Sequence, residues 1–342
     1  MKRFTSLFLA AVLSAALLGL NAGPAAAAAK KVYKWGFASQ NAMTHAMGLA
    51  HQAFFDEIRK RSDGRLDITY HPMGELPINQ TEFIVACGEG LIEMAAGDVS
   101  AVGGSLTSGL LPAMPFLVTG FEEAHIAINA INDSIHKDIN KYGTKFLYYC
   151  IYPMQQIWGS GPVPKTAKDM AGLTIRSQGT EMSKALELLG VHPVAISAAE
   201  VTSSLSRSVI KGAVTAGITI TGNSWYPYLK WGYLANLLAM PSYIVVNQKA
   251  FDALPEDLQK ILQDTATEYQ NTFYDKYVSS AEEREWKVLT DKYGFSLVEM
   301  TAEDRAPIVR SMKKYWFDYA KSMGPDVVKD LEKILTALKI EY

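Results

Sequence analysis

The residues with the clearest chemistry lie between Asp169 and Ser197, in the stretch DMAGLTIRSQGTEMSKALELLGVHPVAIS. A turn leads into a short strand ending at Arg176, and a helix begins just after Gly179. An arginine at a strand end beside a helix start is well placed to hold a small anion. Its planar guanidinium offers a fork of donors matched to a carboxylate, and the free N–H groups of the helix start add positive potential. No catalytic constellation competes with it. The chain has no G-x-S-x-G, no H-E-x-x-H, no G-x-x-x-x-G-K and no Cys/His spacing of a metal site. Carboxylates are plentiful, yet spacing sets no pair of them in a catalytic geometry. Binding without turnover is therefore the first reading and a secreted hydrolase the rival, with no cofactor or metal expected.

The N-terminus says where such a protein works. Lys2 and Arg3 precede an apolar run from Leu7 to Leu20, and Ala25 to Ala29 offers A-x-A cleavage sites. That layout predicts a secretory signal peptide over residues 1–29, too short to span a bilayer comfortably. No cysteine sits at the cleavage region for lipid attachment, and no later run suits a membrane span. Removing residues 1–29 takes away Lys2 and Arg3 and no acid, moving the formal charge from −2 to −4. Neither value, nor any basic run interleaved with aromatics, points to nucleic acid. Cys87 (in FIVACGEG) and Cys150 (in FLYYCIY) both sit in apolar surroundings. Two buried free thiols are expected, with a disulfide as the alternative.

Hydrophobic periodicity supplies the elements that must position Arg176. A strand at Val32–Phe37, a helix at Thr44–Arg61, a strand at Leu66–Tyr70, a helix at Pro77–Gly88 and a strand at Leu91–Ala95 suggest a mostly parallel sheet with helices on its faces. A helix at Glu122–Tyr142 and a strand at Lys145–Tyr149 complete a first lobe. A second lobe starts near Tyr152-Pro153, with strands at Ile157–Ser160, at Arg176 and at Ala213–Thr215, and helices at Glu181–Leu189 and Ala198–Ser206. Two apolar runs, Leu234–Met240 and Ser242–Val246, meet at Pro241 and read as a crossing back. From Pro255 to Lys292 there is no internal Gly or Pro, and apolar residues recur every three or four positions. One helix of that length would be about 57 Å long, more than one lobe, so it should run across both. Helices at Ala302–Phe317, Tyr319–Met323 and Pro325–Leu338 would pack outside it.

Several of these segments carry a family pattern. D-x-x-G-L-x-I-R, a helix ending L-x-x-L-G-V-x-P-V, then A-A-E-V resembles the C4-dicarboxylate-type (DctP) solute-binding proteins of tripartite ATP-independent periplasmic (TRAP) transporters. HPMGELPINQTEFIVACGEGLIEMA, LLPAMPFLV and VVNQKAFDALPEDLQKIL are similar to further segments of that family, in the same order. The resemblance implies an α/β, two-lobed periplasmic binding protein fold (type II-like), with mixed sheets flanked by helices and one long helix spanning both lobes. On that pattern, lobe I is 30–152 with 242–281, lobe II is 153–241 with 282–342, and the spanning helix covers about 255–292. It also implies a periplasmic protein that delivers a small organic acid to the small and large membrane subunits of the transporter, and a monomer is expected.

The resemblance places the carboxylate clamp at Arg176 and a second contact at Thr215. Two departures bear on the ligand. LSRSVIKGAVTA stands where the family reads L-x-x-G-x-x-D-G-x-E-N-P, so Lys211 replaces an aspartate and Thr215 an asparagine. Many relatives carry a second arginine about twenty residues before the clamp, where this chain has Gln155, Gln156 and Trp158. One arginine suits one acid group, because a second buried carboxylate would be left unpaired. Trp158 either stacks on a flat ligand or packs at the hinge, and Trp225, in an aromatic-rich run, lines a slot or packs under the long helix. Ser39, Gln40 and His45 follow the first strand, where ligands sit in doubly wound folds; His45 has a helix-start role as its other reading. Asp98 follows the Leu91–Ala95 strand and either takes an amine or hydroxyl or is a loop aspartate. The ligand expected is an aromatic or indole-type monocarboxylate, with a small sulfonate or a hydroxy or dicarboxylic acid as the alternative.

Overall fold

The computed structural model describes residues 30–342; the signal peptide expected over residues 1–29 lies outside them. Two mixed sheets organise the chain. The first is ordered β2-β1-β3-β10-β4 and comprises β1 (Tyr33–Ala38), β2 (Leu66–His71), β3 (Met94–Asp98), β4 (Thr144–Tyr152) and β10 (Met240–Asn247). The second is ordered β11-β9-β5-β8-β6-β7 and comprises β5 (Gln156–Gly159), β6 (Thr174–Ser177), β7 (His192–Ala195), β8 (Gly212–Thr215), β9 (Trp231–Leu234) and β11 (Ser296–Glu299). β1 is parallel to β2 and β3, whereas β10 runs antiparallel to β3 and β4. The chain thus passes between sheets at β4–β5 and returns at β9–β10. Pro241 lies inside β10 opposite Ile151, just before pairing to β3 begins at Ser242, so its missing N–H removes no bond to that neighbour.

Helices cover both sheets: α1 (Ala46–Arg61), α2 (Phe83–Glu89), α3 (Val99–Val102), α4 (Phe121–Ala130) and α5 (Asn132–Asn140) on the first half of the chain, α6 (Thr180–Leu188), α7 (Ala198–Ser206) and α8 (Gly217–Gly222) on the second. The single helix expected over Glu122–Tyr142 is two. Ile131 leaves the helical basin (φ −128°, ψ 24°), and the Asn132-Asp133-Ser134 cluster restarts the chain, being residues that compete with the backbone inside helices and favour their starts. After β10 come α9 (Gln248–Asp252), α10 (Glu256–Thr272), α11 (Tyr274–Lys287), α12 (Ala302–Met323) and α13 (Pro325–Ala337).

The long helix expected over Pro255–Lys292 is α10 and α11 meeting at Phe273 (φ −112°, ψ −55°), with a π-type turn over Val288–Lys292 at the end. Hydrogen bonds from Phe273 N to Tyr269 O and from Tyr277 N to Phe273 O flank the junction. α10 packs on α1 and β4, and α11 on α1, β4 and α8, so the pair touches the first sheet and a helix of the second half of the chain. The C-terminal α13 packs on α4, while β11 joins the second sheet, so residues 282–342 contact elements of both. Among the described residues no helix is long and apolar enough to cross a membrane. Cys87 and Cys150 are both buried and free.

Candidate functional site

Arg176 sits on β6, paired with β7 on one side and β8 on the other, and its side chain is 1% exposed. Nε donates to Ile196 O at 3.0 Å and Nη1 to Val214 O at 3.4 Å, while Nη2 has no partner. Among the described residues no carboxylate forms an ion pair with it, and burial pulls its pKa down from 12.5 to about 10. A buried cation with an unused donor is costly for the fold alone. It faces a cavity of about 490 Å³.

That cavity is lined from both sheets. Gln40, Asn41, Pro72, Met73 and Tyr152 come from the first, and Arg176, Gln178, Thr202, Thr215, Thr219, Asn223 and Trp225 from the second. Two polar contacts join the sides: Gln178 Nε2 donates to Gln40 Oε1 at 3.2 Å, and His45 Nε2 lies 3.4 Å from Thr219 Oγ1. Among the described residues lining the cavity, Arg176 is the one that carries a charge.

Of the residues singled out from sequence, the structure brings Arg176, Thr215 and Trp225 together on this wall, with Gln40 lining the cavity from the first sheet's side. Trp225 is held there by its Nε1 donating to Thr202 Oγ1 at 3.1 Å. Ser39, His45 and Asp98 stand one residue behind the wall. Ser39 Oγ accepts the Asn41 amide at 3.2 Å, and Asp98 Oδ2 accepts the Tyr152 hydroxyl at 3.1 Å, with Asn41 Nδ2 also bonded to that hydroxyl. His45 caps α1, its Nδ1 accepting the Met47 amide at 3.1 Å, and burial lowers its pKa to about 4, so it is neutral. Burial raises the Asp98 pKa to about 6, against the hydrogen bond from Tyr152.

Trp158 and Gln156 do not line the cavity. Trp158 is fully enclosed in a second core cluster, its ring edge-on to Phe295 and its Nε1 donating to Thr215 O at 2.9 Å. Gln156 is tied to Asn236 by two hydrogen bonds, at 2.6 and 2.9 Å. Both bear on the site through β8 and the crossing strands, not by touching its contents. Sequence reading passes over Tyr152, Asn41, Gln178, Thr202, Thr219 and Asn223. A period-two reading of FLYYCIY puts Tyr148, Cys150 and Tyr152 on one face of β4, and Gln178 lies two residues past Arg176; these are the local signals available. Among the described residues no cluster of His, Cys, Asp and Glu could hold a metal.

Two sheets closing on a cavity with one uncompensated arginine in its wall define the class: a two-lobed solute-binding protein. The sequence model of the bacterial extracellular solute-binding proteins, family 7 (DctP), matches residues 37–322. The chain belongs to that family. One relative is the 2,3-diketo-L-gulonate-binding periplasmic protein YiaO of Escherichia coli K12, 24% identical over 324 residues, which span 93% of this chain and 87% of that protein. The fold is shared with DctP6, a Bordetella pertussis extracytoplasmic solute receptor binding pyroglutamic acid, at TM-score 0.82 and 23% identity over 90% of this chain and 100% of that one. It is shared too with the sugar acid binding protein DctPAm of Advenella mimigardefordensis, in complex with galactonate, at TM-score 0.79 and 19% identity over 90% and 99%. These are receptors, not enzymes, and the hydrolase reading is set aside.

Proposed function

We propose that this chain is the periplasmic receptor of a TRAP transporter, exported by a cleaved signal peptide and acting as a monomer. It encloses one small organic monocarboxylate between its sheets and delivers it to the two membrane subunits. One observation carries the reading of the ligand: the buried Arg176 guanidinium has no acidic partner and an unused Nη2 beside the cavity. A bound carboxylate would complete its hydrogen bonds and its charge. A second carboxylate would find no cation on the wall, which disfavours a dicarboxylate.

The lining bears on the rest of the ligand. Gln40, Asn41, Gln178, Thr202, Thr219 and Asn223 supply hydrogen-bonding groups, and Trp225, Met73 and Pro72 an apolar side. That balance suits a body bearing hydroxyl, keto or amide groups. Diketogulonate, pyroglutamate and galactonate, named for the relatives, are acids of that kind. An aromatic or indole-type acid is the second reading, favoured by Trp225; with Trp158 enclosed in the core, it has one ring fewer to rest on.

Titration calorimetry with pyroglutamate, galactonate, indole-3-acetate and succinate tests both. Stoichiometric binding of a polar monocarboxylate, with no product by mass spectrometry, is the expected result. Preference for indole-3-acetate selects the second reading, and preference for succinate overturns the one-acid argument.

A further inference from the structure

Outside the cavity, one buried carboxylate grips the segment that builds its wall. Glu282 lies on α11 and is 7% exposed. Its Oε1 accepts the Gly217 amide at 2.7 Å and Trp286 Nε1 at 2.6 Å, and its Oε2 accepts the Ile218 amide at 2.8 Å. Those amides open α8, where backbone N–H groups have no carbonyl of their own helix to bond. Gly217 is required by the closeness of this contact. A Cβ there would lie 2.5 Å from Trp286 Cδ1 and 3.0 Å from Glu282 Oε1. The gripped helix begins two residues after Thr215, Thr219 lies within it and Asn223 directly follows it; all three line the cavity.

We propose that Glu282 is a positioning residue for ligand binding, tying α8 to α11 and thereby fixing Thr215, Thr219 and Asn223 in the cavity wall. This rests on the reading of that cavity as the ligand site. The tie links the wall to α11, which also packs on α1 and on β4 of the first sheet, so a shift of α8 is coupled to α11.

The groups facing Glu282 make the tie readable by pH. Gly217–Gly222 carries no titratable side chain, and Gln156 and Asn236, which share a small cavity with Glu282, are neutral. Glu283 lines the same cavity, and Glu285, Arg284 and Lys287 are the remaining charges on its own helix nearby. Burial raises the Glu282 pKa from 4.5 to about 7, with Glu285 adding to the rise and the three donors opposing it. The closed arrangement therefore binds a proton more readily than one in which α8 has opened and Glu282 is solvated. By linkage, opening becomes easier as pH rises from about 4.5 to about 7 and levels off above.

Hydrogen exchange of the full-length mature protein tests this without any ligand. In Glu282→Ala, amides 217–225 should exchange about tenfold faster or more, since two amides and an indole lose their acceptor, while β1 and α1 stay unchanged. In wild type, protection of 217–225, corrected for intrinsic exchange, should fall between pH 5 and pH 7.5; in Glu282→Gln it should be flat. Unchanged exchange in Glu282→Ala, or the same pH profile in Glu282→Gln as in wild type, overturns the proposal. Because no acid is added, a failure of the binding panel leaves this test standing, and a failure here leaves the reading of Arg176 standing.

Discussion

Replacing Arg176 by methionine should separate binding from stability. The drop in pKa from 12.5 to about 10 means the folded protein holds the charged guanidinium at a disadvantage of about 3 kcal/mol, at about 1.4 kcal/mol per pH unit. The sign follows from the direction: a base whose folded pKa is depressed lowers stability in full at neutral pH, and the penalty begins to shrink only as pH climbs past about 10, vanishing above the ordinary guanidinium value. Methionine removes that burden and fills much of the volume. It also leaves Ile196 O and Val214 O without their donor, at about 1 kcal/mol each. The net expectation is a ligand-free variant as stable as wild type or about 1 kcal/mol more so. Acid binding should collapse, because truncating one side of a buried charge pair costs about 2–5 kcal/mol, or about 30-fold to several thousandfold in affinity. Thermal unfolding with and without pyroglutamate and galactonate reads both effects, since a ligand at about 100 times its Kd adds about 2.7 kcal/mol. A variant that unfolds readily when empty yet keeps its ligand-induced shift would refute this reasoning, because Arg176 would then serve the fold and not the ligand.

Three further outcomes follow from buried groups. Asp98→Asn should be about 1–2 kcal/mol more stable than wild type at pH 7.5 and close to it at pH 4, since the folded pKa near 6 makes the ionised carboxylate a burden that protonation removes; urea titrations at the two pH values check it. Gly232→Ala puts a Cβ 2.7 Å from Trp158 Cζ3 and 3.0 Å from Leu297 Cδ2, and should cost about 1–3 kcal/mol by overpacking, measured by the same titrations. Reductant should leave the unfolding temperature unchanged, and a thiol reagent should label Cys87 and Cys150 only after denaturant is added, because both thiols are buried and their pKa values are raised.

Arg176 is legible in the sequence because its signal is local: a strand end, a turn and a helix start within a dozen residues. The opposite wall is not. Tyr152 and Asn41 end up beside the cavity because β4 and β1 lie in a sheet that faces the second one, and no periodicity within either strand encodes that closure. Trp158 shows the converse. Its ring type suggests a ligand platform, but space for it is made by Gly232 on β9, whose missing side chain lets the indole bury against the strand. The junction at Phe273 escapes a pattern reading for another reason. The apolar spacing of Leu262, Ala266, Tyr269, Phe273 and Tyr277 continues through it, so the break lies in backbone angles that periodicity cannot report.

The central claim is that Arg176 holds the ligand's acid group, and a crystal structure of the protein with its bound acid tests it most directly. The carboxylate should lie within hydrogen-bonding distance of Arg176 Nη2, enclosed by Thr215 and Trp225. An acid seated elsewhere, with Nη2 still unpartnered, would contradict it.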